Sequence, residues 1–429
     1  MAIRNIERYS HLTRDDIDEL GQRLDLIRKE VEDSLGERDA RYIRRAIAFQ
    51  RSCEVAARIV LLGSAKRPLW LLGAGLLALS KSIENMEIGH NVMHGQWDWM
   101  NDPDIHSASW EWDHSMPASH WKEAHNFQHH AFANVLGMDP DEGYGLLRIT
   151  RDRRWRPYHL GNALYLVPIS LLYEFGMCVY HLEIDKVISG MKDRSEFESK
   201  WREISRKAAK QLLKDYVVHP ALTGRAWQTT LTANVTATLI KNVWEQIVTF
   251  CGHFPDGAEK FTRRAVERES RGEWYLRQYL GSANLDAGPV LEFLTGHLCY
   301  QIEHHLFPDL PSNRLREVAE RVREVAHDYD LPYTTGSLPR QYLLTLRTIL
   351  KLSLPDKFLI ATSHNAPETS SERRFERAPR RQDIGGGSPR RRGLASALAE
   401  TSSAVTLRNV IARQRIAAMS SDEECALQS

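Results

Sequence analysis

The stretch His90-Asn-Val-Met-His94 decides how this chain is read, because its pattern returns twice, as His125-Asn-Phe-Gln-His129-His130 and as Gln301-Ile-Glu-His304-His305. On an α-helix, residues four apart share a face. His90 and His94 then form a pair, His125 and His129 repeat it, and His130 projects beside them. Neutral imidazole is the commonest protein ligand for transition metals. One such pair is often accidental. Three boxes in this order, with apolar stretches between the second and third, are specific.

The histidine-rich set narrows the metal. The boxes offer more nitrogen ligands than one ion takes, and suit two. Structural zinc wants four ligands, usually including cysteine. The five cysteines are scattered without a Cys-x-x-Cys pair. That argues against a zinc knuckle or disulfide framework and fits a reducing compartment. Carboxylate di-iron bundles use Glu-x-x-His pairs. Glu87 with His90 and Glu111 with His114 match that spacing, but only the first overlaps a box. A dinuclear iron site dominated by imidazole is the better match.

Further residues extend the set. His253, in Phe250-Cys-Gly-His-Phe-Pro255, follows an apolar stretch and is well placed as a ligand. His297 lies one turn before Gln301, and either could take a ligand position. Glu87, Asp98 and Glu303 are candidate acceptors for imidazole N–H groups.

The rest of the chain supplies the setting. Apolar stretches occupy residues 55–65, 68–79, 160–180 and 227–250. The second can continue as a helix through Ile83 to the first box. A bilayer core of about 30 Å needs about 20 helical residues. The expectation is an all-α, membrane-embedded bundle of about four transmembrane helices with a cytosolic, histidine-rich di-iron cap; core helices of a soluble protein are the alternative. Spans at 68–86, 160–180 and 227–250 would bring all boxes to one membrane face. They would also put the basic segment 181–219 on the other face, against the positive-inside tendency, unless the last two are re-entrant. The net charge of +1 gives no case for nucleic-acid binding. Residues 1–50 carry amphipathic helical patterning at Ile17, Leu20, Leu24, Ile27 and Val31, with no signal peptide and no His-Pro-Gly-Gly haem signature. From about Ala366 the composition turns to Ser, Arg, Pro and Gly, which reads as a disordered basic tail.

Around these boxes, residues 85–102, 250–261 and 301–311 resemble the membrane fatty acid desaturases, and among them the actinobacterial acyl-CoA desaturases. The resemblance covers roughly Tyr9 to Phe358. It implies a desaturase domain over 51–358, between cytosolic helices (1–50) and the tail (359–429). It implies two irons held by His90, His94, His125, His129, His130, His253, His304 and His305. It implies a cis double bond at position 9 of a saturated long-chain acyl-CoA such as stearoyl-CoA, made with O2 in the inner membrane with the active site facing the cytoplasm. The chain gives two electrons and a donor gives two. No Rossmann fingerprint or iron–sulfur cysteine set is present. The donor's electrons, ultimately from NADPH, would come through a separate oxidoreductase or ferredoxin-type protein. Trp97, Trp110 and Trp112 are candidates to line the acyl chain.

Three alternatives stay open. The Gln-x-x-His-His third box is also typical of front-end desaturases that act nearer the carboxyl group. Membrane lipid or alkane hydroxylases use similar boxes. A scaffold with structural zinc is the non-catalytic reading.

Overall fold

The computed structural model describes residues 9–355, except 189 and 256. The expected basic tail lies outside the described residues. The described chain is helical almost throughout. Its strands are one short parallel pair, Asn284–Asp286 with Thr335–Ser337.

The first helix, Arg14–Asp33, begins at a capping box. The Thr13 amide donates to Asp16 Oδ2 at 2.8 Å, and Thr13 Oγ1 accepts from the Asp16 amide at 3.1 Å. These contacts satisfy backbone donors that a helix start leaves unpaired. Ile17, Leu20, Leu24, Ile27 and Val31 are all buried, as their spacing predicts. They share a core with Ile302, Leu306 and Phe307, which flank or lie within the third box. This helix therefore supports the box from below. Its approach to the Arg271–Leu280 helix requires glycine at Gly272, where a Cβ would stand 2.1 Å from the Ile17 carbonyl.

A second helix, Glu37–Leu61, runs unbroken past residue 50. The chain turns and returns as Arg67–Ser82. The long Trp227–His253 helix packs against both, through Ala57, Leu61, Ala74, Leu77, Ala233 and Ala237. Small side chains let these helices approach closely.

Among the described residues, no single helix is long and apolar enough to cross a membrane. Trp227–His253 has 27 residues, about 40 Å at 1.5 Å per residue. It is polar because it buries Asn234, Lys241, Asn242, Glu245 and Gln246. The 160–180 stretch is not one straight helix. It breaks at Leu172 into Pro157–Leu171 and Tyr173–Ile188, bent by 104°, and only together are these long and apolar enough to cross a membrane. Pro168 sits in the last turn before the break and has no N–H to offer it.

The basic 181–219 segment does not lie away from the boxes. Its helix, Arg194–Leu213, docks beside the second box. Lys200 pairs with Glu123 at 3.0 Å, and Glu203 with His120 at 2.8 Å. Lys207 meets Glu111 and Lys214 meets Asp113.

Candidate metal centre

The second box does not sit on regular α-helix, and the first begins where a π turn ends. Ile83–His90 and Glu123–His129 are wide π turns. For the second box this corrects the α-helical expectation and explains why His130 joins its neighbours, whereas His90 and His94 keep the i, i+4 bond, with the His94 amide 3.1 Å from the His90 carbonyl. At 3.6 residues per turn, a residue five along points about 140° away. In a π turn the hydrogen bonds run five residues, so positions five apart come together. His125 and His130 accordingly bring their Nε2 atoms to 3.2 Å. His129 still stacks on His125, with ring centroids 5.0 Å apart and planes 24° apart.

Two groups of imidazoles result. His90, His94, His125 and His304 form one, and His129, His253 and His305 the other, each with its ligand atoms within 4.8 Å of one another. His130 bridges them, its ring centroid 4.5 Å from His94 and 4.3 Å from His305. Nε2 atoms face each other at 3.1 Å in His90–His304 and at 3.2 Å in His253–His305. The Nε2 atoms of His94 and His129 are buried, with no hydrogen-bond partner among the described residues.

Electrostatics explains why the arrangement suits cations. Burial pushes His90 down to about 3 and holds His94, His125, His130, His253, His304 and His305 well below the ordinary histidine value. The neutral ring is the form that binds a metal. Ring nitrogens facing one another and orphaned buried nitrogens are what a metal between them would satisfy. The all-nitrogen donor set suits iron, and two groups suit two ions.

His129 differs. Burial alone lowers it, but the Asp139 and Asp141 carboxylates outweigh burial and raise it to about 9. Asp139 Oδ1 lies 2.9 Å from His129 Nδ1 and is itself fixed by the Asp141 amide at 2.8 Å. Asp141 Oδ2 lies 3.6 Å from His129 Nδ1 and 3.9 Å from His125 Nδ1. Burial raises Asp141 to about 6. Neither aspartate was singled out from the sequence. The Asp139-Pro-Asp141 loop, a short way past the second box, was the available signal, but loops have no periodicity to mark it.

Gln301 joins the second group. Its amide stands 3.0 Å from His253 Nε2. It reaches there over Gly252, where a Cβ would stand 2.8 Å from Gln301 Cγ. Gln278 Oε1 meets His305 Nδ1 at 3.2 Å.

Other candidates lie elsewhere. His297 is not on the helical face of the third box. It has a left-handed backbone (φ 58°), before the Gln301–Leu306 helix begins. Its Nδ1 is held by Glu87 at 2.9 Å, so Glu87 supports His297 rather than a box ring. Asp98 binds Ser107, and Glu303 binds Asn284 and Tyr333. Trp97 stacks on Tyr42 in the core. Trp112 stacks on His114, and Trp110 packs between two core clusters. The tryptophan against the centre is Trp121, stacked on His125 at 4.4 Å.

Known proteins carry the same arrangement of sequence. The fatty acid desaturase family matches residues 68–337. The chain is 56% identical over 406 residues to the NADPH-dependent stearoyl-CoA 9-desaturase of two Mycobacterium tuberculosis strains, covering 93% of this chain and 95% of that one. It is 24% identical over 228 residues to fatty acid desaturase 3 of Bos taurus, covering 50% and 46%. With the histidine boxes inside the matched region and identity running across nearly the whole chain, this protein belongs to the fatty acid desaturase family.

Proposed function

We propose that this desaturase inserts a cis double bond at position 9 of a saturated long-chain acyl-CoA such as stearoyl-CoA. The observation that carries the reading is the convergence of seven buried or half-buried imidazoles in two groups with His130 between them, in a chain 56% identical to a stearoyl-CoA 9-desaturase. His90, His94, His125 and His304 would hold one iron. His129, His253 and His305 would hold the other, and His130 would serve between them. Bound there, the irons supply the activation of O2 that removes two hydrogens from the chain. O2, two donor electrons, two protons and the two hydrogens give two waters. Asp139 orients His129, and Gln278 orients His305. The relative's NADPH dependence supports a separate reductase as donor.

The enzyme would sit in the inner membrane with this centre on the cytoplasmic side. Exposed apolar side chains support that: Val55, Ile59, Leu62, Leu71, Leu164, Val167 and Leu222 all face outward on the apolar stretches and their connections. Charges on those helices turn inward and pair, Lys241 with Glu174 at 2.7 Å and Lys81 with Asp215 at 2.6 Å. Inward, paired charges and outward apolar residues are what a bilayer demands. Arg194–Leu213, docked by the second box, fits a re-entrant bent pair better than two full spans.

Gln301 in the third box favours a second reading, in which the double bond lies nearer the carboxyl end. Expression in a host without its own desaturase, with chromatographic location of the double bond, tests both. An alcohol product would mean hydroxylation instead. Tight zinc without iron in the purified protein would rule out the di-iron reading.

A further inference from the structure

The Arg194–Leu213 helix uses one face against the second box and leaves the opposite face open. On the inward face Lys200 and Lys207 meet Glu123 and Glu111, and Ile204 is buried between them. The helix's own carboxylates are engaged as well. Glu203 holds His120, Glu196 holds Lys192 at 2.9 Å, and Glu198 holds Arg194 at 3.0 Å. The outward face carries Arg202, Arg206 and Lys210, all exposed. Residues four apart share a helical face, so the three form one ridge, about 12 Å long at 1.5 Å per residue. Among the described residues, none of the three has an ion-pair partner. Three cations therefore line one face with no carboxylate of the described chain to neutralise them.

Apolar side chains flank this ridge and extend it. Trp201 is 53% exposed and Leu212 is 41% exposed. They stand about three turns apart, on one flank of the helix. Past Leu213 the chain stays helical through Lys214–Val218 and His219–Leu222. Leu213, Val217, Val218 and Leu222 are exposed along it. They continue the outward apolar side chains that fit a bilayer. The ridge therefore borders an apolar run, at the end of the molecule that holds the boxes, since Lys200 pairs with Glu123 two residues before His125. Basic residues beside an apolar helical run, with tryptophan at the boundary, suit a segment that meets anionic headgroups on the cytoplasmic side. An acidic protein would answer the ridge but not the apolar run that continues from it.

We propose that Arg202, Arg206 and Lys210 form a binding ridge for the headgroups of anionic phospholipid, which anchors the Arg194–Leu213 helix at the membrane surface. This rests on the membrane reading above. The guanidinium forks of Arg202 and Arg206 would take phosphate oxygens in pairs, and the Lys210 ammonium would act as a point charge. The lipid's acyl chains would lie along Leu213, Val217 and Leu222, with Trp201 at headgroup level.

The test uses the full chain in phosphatidylcholine vesicles doped with spin-labelled phosphatidylglycerol or spin-labelled phosphatidylcholine. The fraction of label immobilised at the protein reads its preference for the anionic lipid, independently of turnover. The wild type should favour phosphatidylglycerol by about five-fold or more. Raising KCl from about 0.05 M to about 0.5 M should cut that preference to about two-fold or less, because salt screens exposed charges. An Arg202→Gln/Arg206→Gln/Lys210→Gln variant should show the same low preference at low salt. A wild type with no preference, or one indifferent to salt, would overturn the proposal without recourse to any variant. So would a variant that keeps the wild-type preference. A variant with unchanged lipid preference but a raised KM for its electron donor would assign the ridge to an acidic protein instead. A wild type that fails to float with the vesicles, and so immobilises neither label, would overturn the membrane reading itself, a result distinct from equal immobilisation of both.

Discussion

The two halves of the histidine cluster are built differently. In the group of His129, His253 and His305, hydrogen-bonding side chains hold the rings: Asp139 on His129, Gln278 on His305 and the Gln301 amide on His253. All three rings are buried. In the group of His90, His94, His125 and His304, carboxylate support among the described residues is limited to the long 3.9 Å approach of Asp141 to His125. Trp121 packs there instead, with its ring 5.2 Å from His90, 5.4 Å from His94 and 4.4 Å from His125. His90 and His125 remain partly exposed. One half is oriented by polar partners in a closed site, the other by aromatic packing with an opening. Approach from outside is therefore easier at the first half.

Removing a ring should have the largest effect and should be equal for both halves. His94→Ala and His305→Ala are each expected to cut unsaturated product by at least about 100-fold, because each half needs its ring set intact. Fatty acid analysis in a host lacking a desaturase measures this. Normal product from either variant would mean that its ring is not a ligand. Asp139→Asn comes next, with a loss of about 10- to 100-fold in metal affinity or activity. It removes the carboxylate that orients His129 and leaves the first half untouched. An effect below about two-fold would erase the distinction between the halves.

Proton uptake sharpens the contrast in metal-free protein. His129 is raised to about 9, above the ordinary value of about 6.5. It therefore contributes stability that is full below about pH 6.5 and is lost as pH rises through about 9. His90, lowered to about 3, acts the opposite way. Its contribution is present above about pH 6.5 and is lost as pH falls. Asp139→Asn should flatten the alkaline decline in metal-free stability and leave the acid decline in place. Thermal unfolding of the metal-free protein between pH 5 and 9 reads both limbs.

Some of this was legible in the sequence and some was not. The boxes, His253 and the Ile17–Val31 stripe were legible because metal ligands and helix faces repeat at fixed spacings. The π turns were not, since the i, i+4 pattern of His125 and His129 reads the same on either helix. Asp139 and Asp141 act from a loop, where no period selects them. His297 looked like a neighbour of Gln301 on one face, but its left-handed backbone turns it toward Glu87. The bend at Leu172 was visible only as Pro168. The return of residues 194–213 to the second box depends on ion pairs far apart in sequence, such as Lys200 with Glu123.

The smallest expected effect belongs to Trp121, the counterpart of Asp139 in the first half. Trp121→Phe keeps an aromatic ring but gives up part of the stack on His125 and the edge contacts to His90 and His94. Aromatic pairs contribute about 0.5–1.5 kcal/mol beyond their buried area. A loss of about 1 kcal/mol, a modest fall in Tm and activity within about five-fold of wild type follow. On the di-iron proposal, iron content should stay at the wild-type level, because packing tunes ring orientation without supplying a proton acceptor. If Trp121→Phe lost iron as readily as Asp139→Asn, packing and hydrogen bonding would be equivalent supports. The difference between the halves would then be one of exposure alone.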